Sequence, residues 1–133
     1  MNVVDMPKYI ETTTPSIGLI DGTISSITNN SPTVRDYCFF GCANLNYASF
    51  SLCSYVGKSA FRNTPVTELY LPNCTSYGQS AFNGCSQISK LTIGVPYISI
   101  ATAAEDLYTI LSGNTNLEEV HLTNCDYIAS SVF

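Results

Sequence analysis

The amino-acid sequence predicts an α/β solenoid, a stack of short repeats sharing one core, and three observations lead there. The hexapeptide V-G-K-S-A-F at 56–61 returns as Y-G-Q-S-A-F at 77–82, so Phe61 and Phe82 lie 82 − 61 = 21 residues apart. A step of 61 − 39 = 22 residues back from Phe61 reaches Phe39, where Val34 matches Val56 and Gly41-Cys42 match Gly84-Cys85. Downstream of each phenylalanine the spacing L-x-x-L-x-L recurs, as Leu45, Ala48, Phe50, then Val66, Leu69, Leu71, then Ile88, Leu91, Ile93. A period of roughly 20–50 residues marks an array whose units cannot bury an apolar face alone and must stack to do so.

The elements follow in order. Residues 1–33 read as a divergent N-terminal capping unit, with Ile24 and Ile27 opening a degenerate half-repeat and Asn29-Asn30-Ser31-Pro32 turning into Val34. Repeats are expected at 34–55, 56–76, 77–106 and 107–127, with 128–133 starting a further unit. The copy beginning at Val56 is one residue shorter at Asn63-Thr64-Pro65, a turn-like stretch where deletion is cheap. In the last copy, Leu117, Val120 and Leu122 keep the spacing, Asn124-Cys125 repeats Asn73-Cys74, and I-A-S-S-V-F restates V-G-K-S-A-F.

About eight extra residues precede that copy and predict a helix. Thr102-Ala-Ala-Glu105 is a capping box, and Ala103, Leu107, Ile110 and Leu111 form an apolar stripe at helical spacing. Thr115 to Glu118 also fits the capping-box pattern, but the V-H-L that follows alternates with a strand's period. Each unit therefore holds one short strand, a turn, and a short helical or irregular segment carrying the Ala-Phe pair. Stacking lines up Phe39, Phe61, Phe82 and Phe133 as a column. Removing one ring, Phe61→Ala, is expected to cost ~3–5 kcal/mol.

The pattern I-G-x-x-A-F-x-x-C-x-x-L-x-x-L-x-L-P, clearest in VGKSAFRNTPVTELYLPNC and YGQSAFNGCSQISKLTI, resembles the BspA-like class of leucine-rich repeats. The likeness covers 34–94 strongly and 107–133 more loosely. It departs at Cys38-Phe39 for Ala-Phe, at Ser51 for the usual Pro, and at the helical insert. The resemblance implies a right-handed superhelix with short parallel strands on its concave face and irregular or short helical convex segments. It also implies adhesion or ligand binding rather than catalysis, on a bacterial cell surface or a phage particle, with a structural or assembly role docking through the solenoid ends as the alternative.

Composition bounds the rest. Only 11% of residues are charged, the formal net charge is −5, and no Lys/Arg cluster occurs, which argues against nucleic acid. No apolar run approaches the ~20 residues needed to span a bilayer, so membrane insertion is not expected. The opening MNVVDMPKYIETTT lacks the basic-then-apolar pattern of a signal peptide. In repeat register Cys53, Cys74 and Cys125 share one column, Cys42 and Cys85 another, and Cys38 fills an alanine slot. That arrangement reads as small packing residues, with a Cys53–Cys74 bridge as the other reading. No C-x-x-C occurs, so neither metal nor cofactor is expected. A Cys–His nucleophile pair is disfavoured because His121, between Val120 and Leu122, should face outward while the cysteines face the core.

Candidate ligand contacts are the outward positions of the strands: Tyr47 and Ser49, Glu68 and Tyr70, Lys90 and Thr92, Glu119 and His121. They should form two ladders on one face, where tyrosines offer apolar area with a hydroxyl to a protein or glycan partner. Self-association, or continuation into a longer array, is expected through the C-terminal end.

Overall fold

The computed structural model describes residues 4–5, 24–94, 97–98, 114–125 and 127–128. Eleven short strands are laid down: β1 (Val4–Asp5), β2 (Ser26–Asn29), β3 (Thr33–Val34), β4 (Tyr47–Phe50), β5 (Tyr55–Val56), β6 (Glu68–Leu71), β7 (Ser76–Tyr77), β8 (Lys90–Gly94), β9 (Tyr97–Ile98), β10 (Glu119–Thr123) and β11 (Tyr127–Ile128). Six form a parallel sheet in the order β1-β2-β4-β6-β8-β10, and β3-β5-β7 form a second parallel sheet. β9 and β11 pair in the same sense. The chain is a parallel-strand solenoid, each turn adding one strand to the long sheet and one two-residue strand to a side wall.

Register shows what the repeat encodes. Ile27, Ala48, Leu69, Leu91 and Val120 are aligned across five strands, and Phe50, Leu71, Ile93 and Leu122 form the next apolar column. Alternate residues of a strand face opposite sides, so these columns bury together; Ile27, Ala48, Leu71 and Ile93 are fully enclosed. Ile24 joins Leu45, Val66 and Ile88 in the core. At the Phe50 position the N-terminal turn has Asn29 instead, buried with its Oδ1 accepting the Ser31 amide at 2.7 Å.

Opposite the long sheet stands the phenylalanine column. Phe39 and Phe61 stack with centroids 5.2 Å apart, and Phe61 and Phe82 at 5.7 Å, with interplanar angles of 19° and 12°. Phe50 closes the gap from the sheet side, its ring edge-on to Phe61 at 6.3 Å. The expected stack is present from Phe39 to Phe82; Phe133 lies outside the described residues, as does the helix expected over 102–111.

Of the irregular or short helical form expected of the convex segments, the irregular one is found: among the described residues they contain no helix. Their amides alternate between two partners. Cys38, Phe40 and Cys42 donate three residues back along their own turn, whereas Tyr37, Phe39 and Gly41 donate to Lys58, Ala60 and Arg62 of the next turn at 2.7–3.0 Å. Ser59, Phe61 and Asn63 repeat this toward Gln79, Ala81 and Asn83. Two left-handed residues per turn impose the alternation: Tyr37, Ser59 and Ser80 in one column, Gly41, Asn63 and Gly84 in another, all with φ between 52° and 81°. A left-handed residue every fourth position prevents the i→i−4 ladder of a helix. The backbone instead satisfies itself between turns.

Candidate functional site

Because a strand's side chains alternate, the residues between the buried columns are driven to the solvent side of the six-stranded sheet. Pairing there is in register. Ser26, Tyr47, Glu68, Lys90 and Glu119 form one ladder, and Thr28, Ser49, Tyr70, Thr92 and His121 the other. All eight residues singled out from the sequence are thus brought onto one face, and β2 extends both ladders by a residue.

Seven of the eight line a groove of about 490 Å³: Tyr47, Glu68, Tyr70, Lys90, Thr92, Glu119 and His121. Ser49 is not part of its lining; only 7% exposed, this short side chain sits between Thr28 and Tyr70 in the ladder. Tyr70 is the most open aromatic of the set at 42% exposure. Glu68, Lys90 and Glu119 are directly opposite one another on β6, β8 and β10, which places the groove's lysine between two carboxylates.

The groove also takes in Pro72 and Thr123, which sequence reasoning passed over. Thr123 follows Glu119 and His121 at the same two-residue period, so strand parity was a sufficient signal for it. Its hydroxyl donates to the Pro72 carbonyl and lies 3.2 Å from that of Ile93, tying the far end of β10 to its neighbours.

At the β10 end, His121 Nε2 and Glu119 Oε1 are 2.6 Å apart, both side chains more than half exposed. The hydrogen bond from His121, then its charge, hold the Glu119 carboxyl below the usual glutamate range, with a smaller contribution from Lys90. The carboxylate is therefore retained further into acid than that of an isolated glutamate. With both signs of charge, four hydroxyl-bearing side chains and two aromatic rings, the groove can donate, accept and stack.

The cysteines are all thiols, and five are buried. Ser31, Cys53 and Cys74 share a column, and each donates to the carbonyl two residues on: Ser31 Oγ to Thr33 at 2.7 Å, Cys53 Sγ to Tyr55 at 3.1 Å, Cys74 Sγ to Ser76 at 3.4 Å. The Cys53–Cys74 bridge is thus not formed, and thiols take the place of a turn hydroxyl. The hydrogen bond shared with Cys74, then burial, push the Cys53 thiol up. In the second column Thr64 stands between Cys42 and Cys85, with its Oγ1 3.4 Å from Cys85 Sγ. Cys85 Sγ donates to the Phe61 carbonyl at 2.9 Å. Burial, then the nearby Cys42, push Cys38 up to about 12. His121 lies on the solvent face of the sheet and the five buried thiols within the core, so His121 forms no nucleophile–base pair with any of those five. Among the described residues no cluster of metal-ligating side chains is found.

A family model described as BspA type leucine-rich repeat region matches residues 22–133 in six copies. Neither the curated proteins nor the solved structures yield a match.

Proposed function

The chain belongs to the BspA-type leucine-rich-repeat family, and from that premise we propose that it reads a partner through the ladder face of its long sheet. Repeat arrays of this kind are protein-interaction modules, extended surfaces carried on a repeated core, and are typically non-catalytic. The finer reading is a binding or adhesion module for a protein or glycan surface, working extracellularly on a bacterial cell surface or on a virion.

One observation carries it. The inward columns repeat from turn to turn, whereas the groove-lining pairs change each time: Glu68 with Tyr70, Lys90 with Thr92, Glu119 with His121. Packing explains the first set and requires nothing of the second. A plain solvated sheet face would also tolerate the variation, so the groove, with an open tyrosine at its centre, is what favours recognition.

The test is a screen of the full chain against a glycan array and a panel of immobilised extracellular-matrix proteins, repeated with Tyr70→Ala/His121→Ala. A ligand of the wild type should bind the double variant at least about tenfold more weakly, since central aromatics dominate interface energy. Circular dichroism should show an unchanged fold. Equal binding by the two proteins, for every ligand detected, would remove the ladder face from consideration.

A further inference from the structure

β10 is the last strand of the long sheet among the described residues, pairing with β8 alone. Its turn is also where the core columns stop being closed. Ile88, Leu91, Ile93 and Cys74 are at most 1% exposed, but Leu117, Val120, Leu122 and Cys125, which continue the same pattern, are only partly buried. The strand thus presents an apolar row together with a backbone edge, a combination that invites another strand.

We propose that a second copy of this chain covers that edge, β10 pairing antiparallel with its counterpart about a two-fold axis at His121. The Glu119 amide donates to the Ser89 carbonyl at 3.0 Å, so Glu119 directs its backbone groups at β8. Alternation then turns those of His121 and Thr123 the same way, and those of Val120 and Leu122 outward. An axis at His121 sets Val120 opposite the second copy's Leu122, and Leu122 opposite its Val120. Both outward-facing residues meet outward-facing residues, which gives four inter-copy N–H···O=C bonds and apolar against apolar on the core side.

On the groove side, Glu119 faces the second copy's Thr123, so no two carboxylates oppose each other. Other registers fare worse. An axis at Val120 puts Leu122 against the exposed Glu118, and an axis at Leu122 puts Val120 against the exposed Asn124. The two-fold arrangement makes one continuous sheet of both copies and joins their ladder faces across His121.

The seam has a specific test that is independent of any ligand. At a non-hydrogen-bonded antiparallel pair the Cα atoms are about 4.5 Å apart, within reach of a disulfide. His121→Cys in a Cys125→Ser background, with dissolved oxygen as oxidant and copper–phenanthroline as catalyst, should give a covalent dimer. Glu119→Cys in the same background, displaced from the axis, should give little. By sedimentation equilibrium the wild type should be a dimer, and Val120→Pro should weaken it at least about tenfold by deleting an outward amide from each copy. The secondary-structure spectrum of that variant, taken in dilute solution, should be unchanged. A wild type that stays monomeric to about 1 mM, open-ended oligomers, or equal cross-linking at positions 119 and 121 would each overturn the proposal.

Discussion

A Cβ built on Gly57 would sit 2.5 Å from the Asp36 amide nitrogen, and one on Gly78 2.4 Å from that of Lys58. Both obstacles are backbone of the preceding turn, and neither glycine has a positive φ. What is required at this position is close approach between turns. The first copy carries Arg35 in the equivalent place, half-buried, so the requirement belongs to the contact and not to the local turn. Gly41 is the opposite case: a Cβ there meets nothing within 4 Å, but φ is +71°. Tyr37, Ser59 and Ser80 adopt the same left-handed region with side chains, which bounds the conformational cost. Gly41→Ala is therefore expected to cost about 1 kcal/mol, and Gly57→Ala more, about 1–3 kcal/mol from overpacking against backbone. Urea unfolding midpoints compare the two directly, and the reverse order would refute the assignment.

Elements were legible to the extent that a two-residue or 21–22-residue period controls them. Strand parity in E-L-Y-L and K-L-T-I-G fixes which side chains form the ladders, and the spacing from Phe39 to Phe82 fixes the ring column. The left-handed positions of the convex segments were not legible, because Tyr37, Ser59 and Asn63 carry no glycine to announce them. Repeat register put Cys42 and Cys85 in one column but did not show Thr64 in its middle place, because no cysteine marks that turn. Once the columns are seen, the thiols become spacers that also satisfy carbonyls. Their chemistry should follow burial: in native protein the partly buried Cys125 should react first with an aromatic disulfide reagent, and the other five only on unfolding. Reductant should leave the melting temperature unchanged. Fast reaction of Cys53 or Cys74, or a total of four thiols after denaturation, would show that the pair is accessible or bridged.

At the scale of the whole molecule, the solenoid is close to one-dimensional, each turn resting only on its neighbours. Its stability should then be graded along the axis, and two substitutions measure the grade. Phe61 is fully enclosed, stacked between Phe39 and Phe82 and met edge-on by Phe50, so its loss opens a cavity bordered by three turns. Phe61→Ala should cost about 3–5 kcal/mol, a large part of the ~5–15 kcal/mol typical of a domain. It should also loosen amides on both sides of the break, at Phe39 and Ala60 as well as at Asn63. Leu117 follows Ile88 in its column but is only partly buried at the β10 turn. Leu117→Ala removes less enclosed surface and leaves no closed cavity, so its cost should fall below the ~2–5 kcal/mol of an interior leucine. Its effect on hydrogen exchange should stay within β8 and β10 of each copy, because β10 is the last strand of the long sheet among the described residues. If Leu117→Ala instead lowered stability as much as Phe61→Ala, with protection lost uniformly from β2 to β10, the molecule would be a single cooperative block.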